Sequence, residues 1–192
     1  TVAAPREAVF KALSDAPFPL SLNTASQFGG GVSNESFGTN TSARLGVVNS
    51  TFSANSADGF DGGGGIDNRT NGGAATVSVK HSTFSGNLNG SDTPFTAAGA
   101  GAIHDHGIFA TVHLTHNIFE NIGAFSPNLA TGNGGTITSD GWNLSSDSAG
   151  GDGSTGPGGL LNHVGEKRNT DPKLCPLADN GGPTLTHALD RT

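Results

Sequence analysis

Two short stretches hold the residue types that coordinate ions. "DGFDGGGGID" (58–67) carries Asp58, Asp61 and Asp67, and "HDH" (104–106) carries His104, Asp105 and His106. Carboxylates and imidazoles are the side chains that bind divalent cations. The binding group read from these stretches is Asp67, His104, Asp105 and His106, and the candidate metal ligands are Asp58, Asp61, Asp67 and His104. Their spacing matches no established ligand motif, so the default expectation is a solvated polar face with no cofactor. A second chemistry would be proton abstraction from an acidic sugar. Lys80 or Arg69 would serve as the base, with Asp58, Asp61 and Asp67 holding calcium against the sugar carboxylate. The letters "GDGSTG" (151–156) satisfy G-x-G-x-x-G, but no strand precedes them and "PGG" follows, so they do not form a nucleotide loop.

Whether residues 67 and 104 meet depends on the elements that carry them, and those elements repeat. "VVNSTFSAN" from Val47, "VKHSTFSGN" from Val79 and "LTHNIFEN" from Leu114 align on Phe52, Phe84 and Phe119, which are 32 and 35 residues apart. Leu45, Val77 and Val112 fall in register upstream, and Asn49, His81 and His116 share an equivalent position. A second element recurs as "GGGV" ending at Val32, "GGGI" at Ile66, "AGAI" at Ile103 and "GGTI" at Ile137. Apolar positions hold their spacing while the Gly/Asn/Ser loops vary, as expected of a solenoid whose like residues stack. The alternation at Val77 and Val79 is that of a strand.

The sequence therefore predicts an all-β fold, a right-handed parallel β-helix of four to six coils. Phe52, Phe84 and Phe119 form one internal ladder and Ile66, Ile103 and Ile137 another. Asn49, His81 and His116 hold corners, as do Asn55 and Asn87. Glycine before the inward Val or Ile is expected to supply a tight corner at positive φ. Ser33, Asp67, His104 and Thr138, each one residue further on, are expected to point outward on a single face, making Asp67 and His104 neighbours.

Residues 1–27 read as an N-terminal cap, with a short amphipathic helix over Arg6–Ser14 and extended chain at "PFPLSLN". Residues 28–145 hold the coils, and 146–192 a Gly-rich loop and a Pro-rich closing segment.

Composition narrows the function classes. Only 13% of residues are charged and the formal net charge is −7, which disfavours a polyanionic partner such as nucleic acid. No apolar run is long enough to span a bilayer as a helix. Cys175 is the only cysteine, so no internal disulfide forms, and its expected role is that of an inert thiol. The chain starts at Thr1 and contains no Met, which fits a processed or excised segment.

The F-x-x-N and G-G-x-I elements, "FSAN" (52–55), "FSGN" (84–87), a shortened "FEN" (119–121), "GGGI", "AGAI" and "GGTI", resemble the repeats of polymorphic outer membrane proteins. "GWNLSSD" (141–147) and "NTDPKLCPLADNGGPTLTHAL" (169–189) resemble the terminal region of bacterial choice-of-anchor Q surface proteins. That resemblance implies a secreted or cell-surface bacterial β-helix, with itself, other surface proteins or glycans as partners. The functional expectation is a non-catalytic structural or adhesive rod. The alternative is a lyase or hydrolase acting on acidic glycans with a divalent metal, a fold on which such enzymes are common.

Overall fold

Alternation of apolar and small polar residues builds the strands. Within Ala74–Lys80, Ala75, Val77 and Val79 are fully buried while the residues between them are more exposed, the period of two that a pleated strand imposes. The structure, a computed structural model, describes residues 7–9, 19–59, 61–90, 99–120 and 126–190. Among those residues every regular element is a strand and there is no helix.

In chain order β1 (Glu7–Val9), β2 (Pro19–Ser21) and β3 (Thr24–Ala25) open the fold. A first full repeat unit contains β4 (Val32–Phe37), β5 (Ser42–Val48), β6 (Thr51–Ser53) and β7 (Ser56–Ala57). The second contains β8 (Ile66–Asn71), β9 (Ala74–Lys80), β10 (Thr83–Ser85) and β11 (Leu88–Asn89). The third has β12 (Ile103–His106), β13 (Ala110–Thr115) and β14 (Ile118–Glu120), and the last has β15 (Leu129–Gly132), β16 (Thr136–Gly141) and β17 (Leu144–Ser145). Equivalent strands of successive units pair in parallel. Four sheets result, ordered β1-β5-β9-β13-β16, β2-β6-β10-β14-β17, β3-β7-β11 and β4-β8-β12-β15.

The N-terminal helix expected over Arg6–Ser14 is not the conformation at Glu7–Val9, which pairs as a strand with Ser42–Arg44; the rest of that segment lies outside the described residues. A single short helix is marginal by itself, whereas a strand at this edge satisfies its backbone on an existing ladder. Pairing also begins before Phe28, since β2 and β3 already lie in register with β6 and β7.

Between the sheets the inward residues form apolar ladders. Phe52 and Phe84 stack with ring centroids 4.6 Å apart, and Phe84 and Phe119 at 5.3 Å. Leu45, Val77, Val112 and Ile137 form a second row, and Val32, Ile66, Ile103 and Leu129 a third. Ile137 thus does not follow Ile103. "GGTI" lies in β16 beside Val112, and Leu129 of "NLAT" occupies the expected place. Stacking selects an apolar side chain at the inward position, whatever glycines precede it.

Buried polar ladders run beside the apolar ones. Asn55 donates from both its backbone N–H and its side-chain amide to Asn87 Oδ1, and Asn87 donates onward to the Phe52 carbonyl. Asn23 repeats the pattern on Asn55. A second ladder links Ser50 N–H to Ser82 Oγ, Ser82 N–H to Asn117 Oδ1, and Asn117 N–H to Asn143 Oδ1. It ends where Asn143 N–H donates to Glu166 Oε2. Asn49, His81 and His116 do stand at the corner, but this ladder, one residue further on, carries its inward hydrogen bonds. Asn49, His81 and His116 are exposed and left-handed, at φ of 50°, 50° and 55°. The turn at each of them breaks the alternation and sends the next residue inward. His81 and His116 instead stack on the outside, 5.0 Å apart, with Trp142 continuing the row 6.4 Å from His116.

The glycines before the inward residues serve close approach rather than positive φ. A β-carbon on Gly64 would lie 2.5 Å from the Leu88 carbonyl oxygen and 2.6 Å from that of Gly101, both rigid backbone groups. Gly64→Ala is therefore expected to destabilise the fold by at least about 1–3 kcal/mol, the usual cost of overpacking. Urea unfolding of the variant against wild type measures it, and an unchanged midpoint would refute the close-approach account.

Beyond β17, residues 146–190 add no regular strand. Arg168, fully buried, organises the 148–158 loop by donating to the carbonyls of Gly156, Ser148 and Asp152 and to Asp152 Oδ1 and Ser154 Oγ. Hydrogen bonds from Ser154, then Arg168, hold the Asp152 carboxyl down to about 2. The final segment folds back so that His187 Nδ1 donates to the Cys175 carbonyl, with Nε2 3.0 Å from Ser53 Oγ. The Cys175 thiol is free and half-buried.

Candidate functional site

Register brings the two Asp- and His-bearing stretches together. β8 and β12 pair so that Asp67 faces His104 and Arg69 faces His106, and on the other side of β12, Gly132 of β15 faces His106. Asp67, Arg69, His104 and His106 alternate with the inward residues and so project from the outer face of this sheet. That face is not solvated as expected: Asp67 and His104 are completely buried. The loop between β7 and β8 lies over it and supplies Asp61.

The resulting cluster is tightly connected. His104 Nδ1 donates to Asp67 Oδ1 at 3.1 Å, and Asp67 Oδ2 accepts from Arg69 Nε at 3.1 Å. Arg69 also donates to the Asp61 carbonyl, lies 3.8 Å from Asp61 Oδ2, and covers the Phe28 ring with its guanidinium carbon 3.6 Å from the centroid. On the opposite side of the imidazoles, His104 Nε2 lies 3.4 Å from Asp61 Oδ1 and His106 Nδ1 2.9 Å from Asp61 Oδ2. Both ring nitrogens are buried and neither makes a hydrogen bond. The carboxylate of Asp61 and these two nitrogens lie within 4.8 Å of one another.

Of the other residues singled out in the sequence, Asp105 points the other way, into the stack. There Asn34 donates to Asn68 Oδ1 at 2.7 Å and Asn68 donates to Asp105 Oδ1 at 2.6 Å. Burial pushes the Asp105 carboxyl up to about 7, a rise that Asn68 and the Thr136 N–H only partly offset. Asp58 is exposed and is not one of the converging ligands. Lys80 is exposed at the far end of β9, in the next sheet, and is not brought to Arg69. Arg69 is itself engaged by two aspartates and an aromatic ring.

No match links this chain to a known protein. Comparison with family models, with curated proteins and with solved structures returns nothing similar. The likeness to polymorphic outer membrane and choice-of-anchor Q proteins thus rests on the repeats and the C-terminal motifs alone. No helix among the described residues is long and apolar enough to cross a membrane.

The sequence carries only part of the signal for two features, the pairing of Asp61 with His106 and the external row that ends at Trp142. Asp61 was a candidate for calcium, but its pairing with His106 depends on the path of a loop and has no periodic signal. The His81–His116–Trp142 row had a partial signal, since "GWNL" places Trp142 before Asn143 as His116 precedes Asn117.

Proposed function

We propose that this chain is a right-handed parallel β-helix serving as a non-catalytic rod in a secreted or cell-surface bacterial protein, where it spaces, adheres or assembles. The observation that carries this reading is the use made of the polar residues. The repeated Asn and Ser side chains are spent inside the stack, in ladders that join one unit to the next. The residues suited to attack an acidic glycan are kept apart, with Lys80 in one sheet and Arg69 held by Asp61 and Asp67 in another.

β4 pairs on one side only among the described residues, and an open strand edge favours association with another strand. Light scattering over a concentration series is expected to show a mass that rises with concentration. A monomer at every concentration would remove self-association from the proposal. Incubation with a panel of uronate polymers is expected to give no unsaturated product. Sustained turnover abolished by Lys80→Ala would replace the rod reading with the lyase one.

A further inference from the structure

We infer that Asp61, His104 and His106 form a binding site for a transition-metal dication, zinc or a close analogue, on the outer face of the β4-β8-β12-β15 sheet. Three independent features of the geometry support the assignment. The first is the pair of unsatisfied nitrogens. A buried ring nitrogen without a hydrogen bond is costly, and here two of them, His104 Nε2 and His106 Nδ1, converge on one carboxylate. The second is distance. Two donors each about 2.0–2.1 Å from a tetrahedral ion sit about 3.3 Å apart, and His104 Nε2 and Asp61 Oδ1 are 3.4 Å apart. The third is Gly132. A β-carbon there would lie 2.9 Å from His106 Nδ1, 3.2 Å from His104 Nε2 and 3.6 Å from Asp61 Oδ1, so the glycine leaves open the space against which all three donors face.

The surroundings set the protonation state that coordination requires. Asp67 accepts the Nδ1 proton of His104, which leaves Nε2 with its lone pair directed at the site. This carboxylate–histidine arrangement is the usual support of a metal-bound imidazole, and Arg69 in turn holds Asp67. Asn133 Nδ2 lies 2.7 Å from His106 Nε2; metal binding through Nδ1 requires the amide to turn over, so that its oxygen accepts from Nε2–H and Nδ1 is left with its lone pair.

An ion-pair cluster without a metal explains these contacts less well. It requires a protonated His104 whose Nε2–H finds no acceptor in line, or a neutral one whose lone pair faces a carboxylate oxygen. Two imidazoles and one carboxylate suit zinc, cobalt, nickel or ferrous iron, whereas calcium takes oxygen ligands. Three protein donors leave a coordination position for water or for an anionic ligand.

The test uses the full chain, stripped with EDTA and titrated with Zn²⁺ by calorimetry and with Co²⁺ by visible absorption. One ion per chain is expected, with a dissociation constant of about 1 μM or tighter and a Co²⁺ spectrum of nitrogen–oxygen ligation. His106→Ala and Gly132→Ala are each expected to weaken binding at least about 100-fold, and Asp67→Asn about 10–100-fold as a positioning residue. His81→Ala, on the external row, leaves binding unchanged. His106 borders the surface and Gly132 keeps an ordinary φ, so the metal-free variants should match wild type by circular dichroism. If only one of these two variants folds, that one decides the question. Failure of the wild-type chain to bind either ion, or binding that survives in a folded His106→Ala or Gly132→Ala chain, overturns the assignment. Neither result bears on the rod reading, which needs no metal.

Discussion

Phe84→Ala is expected to lower the unfolding free energy by about 4–5 kcal/mol, near the top of the range for phenylalanine truncation in a core. Phe84 is fully buried and has an aromatic ring on both sides, nearly parallel to Phe52 at 8° and inclined 29° to Phe119. Its removal loses apolar burial and two ring–ring contacts, each worth about 0.5–1.5 kcal/mol beyond area. The cavity cannot be closed by sliding the neighbours, because the strand on each side is pinned by its own ladder hydrogen bonds and by the Asn55–Asn87 link. Phe119→Ala should cost less, since Phe119 is followed in register by Ser145 rather than by another ring. Equilibrium denaturation of both variants checks the order. A Phe84→Ala loss below that of Phe119→Ala would contradict the view that the central ring joins the units.

The phenylalanine row was legible because a stacked unit must repeat its core residue at nearly fixed spacing, whatever its loops do. The same logic placed Asp67 beside His104, a contact between residues 37 positions apart. It failed at Ile137 because the glycines of "GGTI" imitate a signal that the sheet does not require. It placed Asn49, His81 and His116 at the corner, where the left-handed turn is, but missed that the inward polar row lies one residue further on, at Ser50, Ser82 and Asn117. A single left-handed residue changes the strand parity, and sequence alternation does not report backbone hand at an Asn or His.

The site was half legible for a related reason. Residues on strands inherit their neighbours from the register, so Asp67, His104 and His106 could be set on one face. Asp61 belongs to a loop, and loops are where the units differ. The burial of the face was likewise invisible, since no periodic rule states that a loop will fold over it. Asp105 was grouped with its flanking histidines by adjacency, yet a strand sends adjacent side chains to opposite sides. Its partners are the amides of the interior.

That interior position gives Asp105→Asn a pH-dependent gain in stability. Asn34, Asn68 and Asp105 occupy one ladder, and the acid stands where the repeat calls for a third amide. Its carboxyl rises from 3.8 to about 7, chiefly through burial, and Oδ2 makes no hydrogen bond. Asn68 of β8 and the Thr136 N–H of β16 act against the rise, and Asp67 adds to it. The sign follows from proton linkage. Below about pH 4 the carboxyl is protonated in both the folded and the unfolded chain, and its full contribution is present. As pH rises toward 7 the unfolded chain releases a proton that the folded chain keeps, so stability falls. Above about pH 7 the carboxyl is ionised in both and the deficit is constant. At 1.36 kcal/mol for each tenfold change in proton affinity, the deficit is on the order of 4 kcal/mol. An asparagine carries no such term, and by the repeat its amide would reach the Ala110 carbonyl as Asn68 reaches that of Ala75. Denaturation of both chains in EDTA, which keeps ions from the neighbouring histidines, should show Asp105→Asn matching wild type near pH 4 and exceeding it by several kcal/mol at pH 8. An advantage of the same size at both pH values would mean that the carboxyl is not held protonated by the fold.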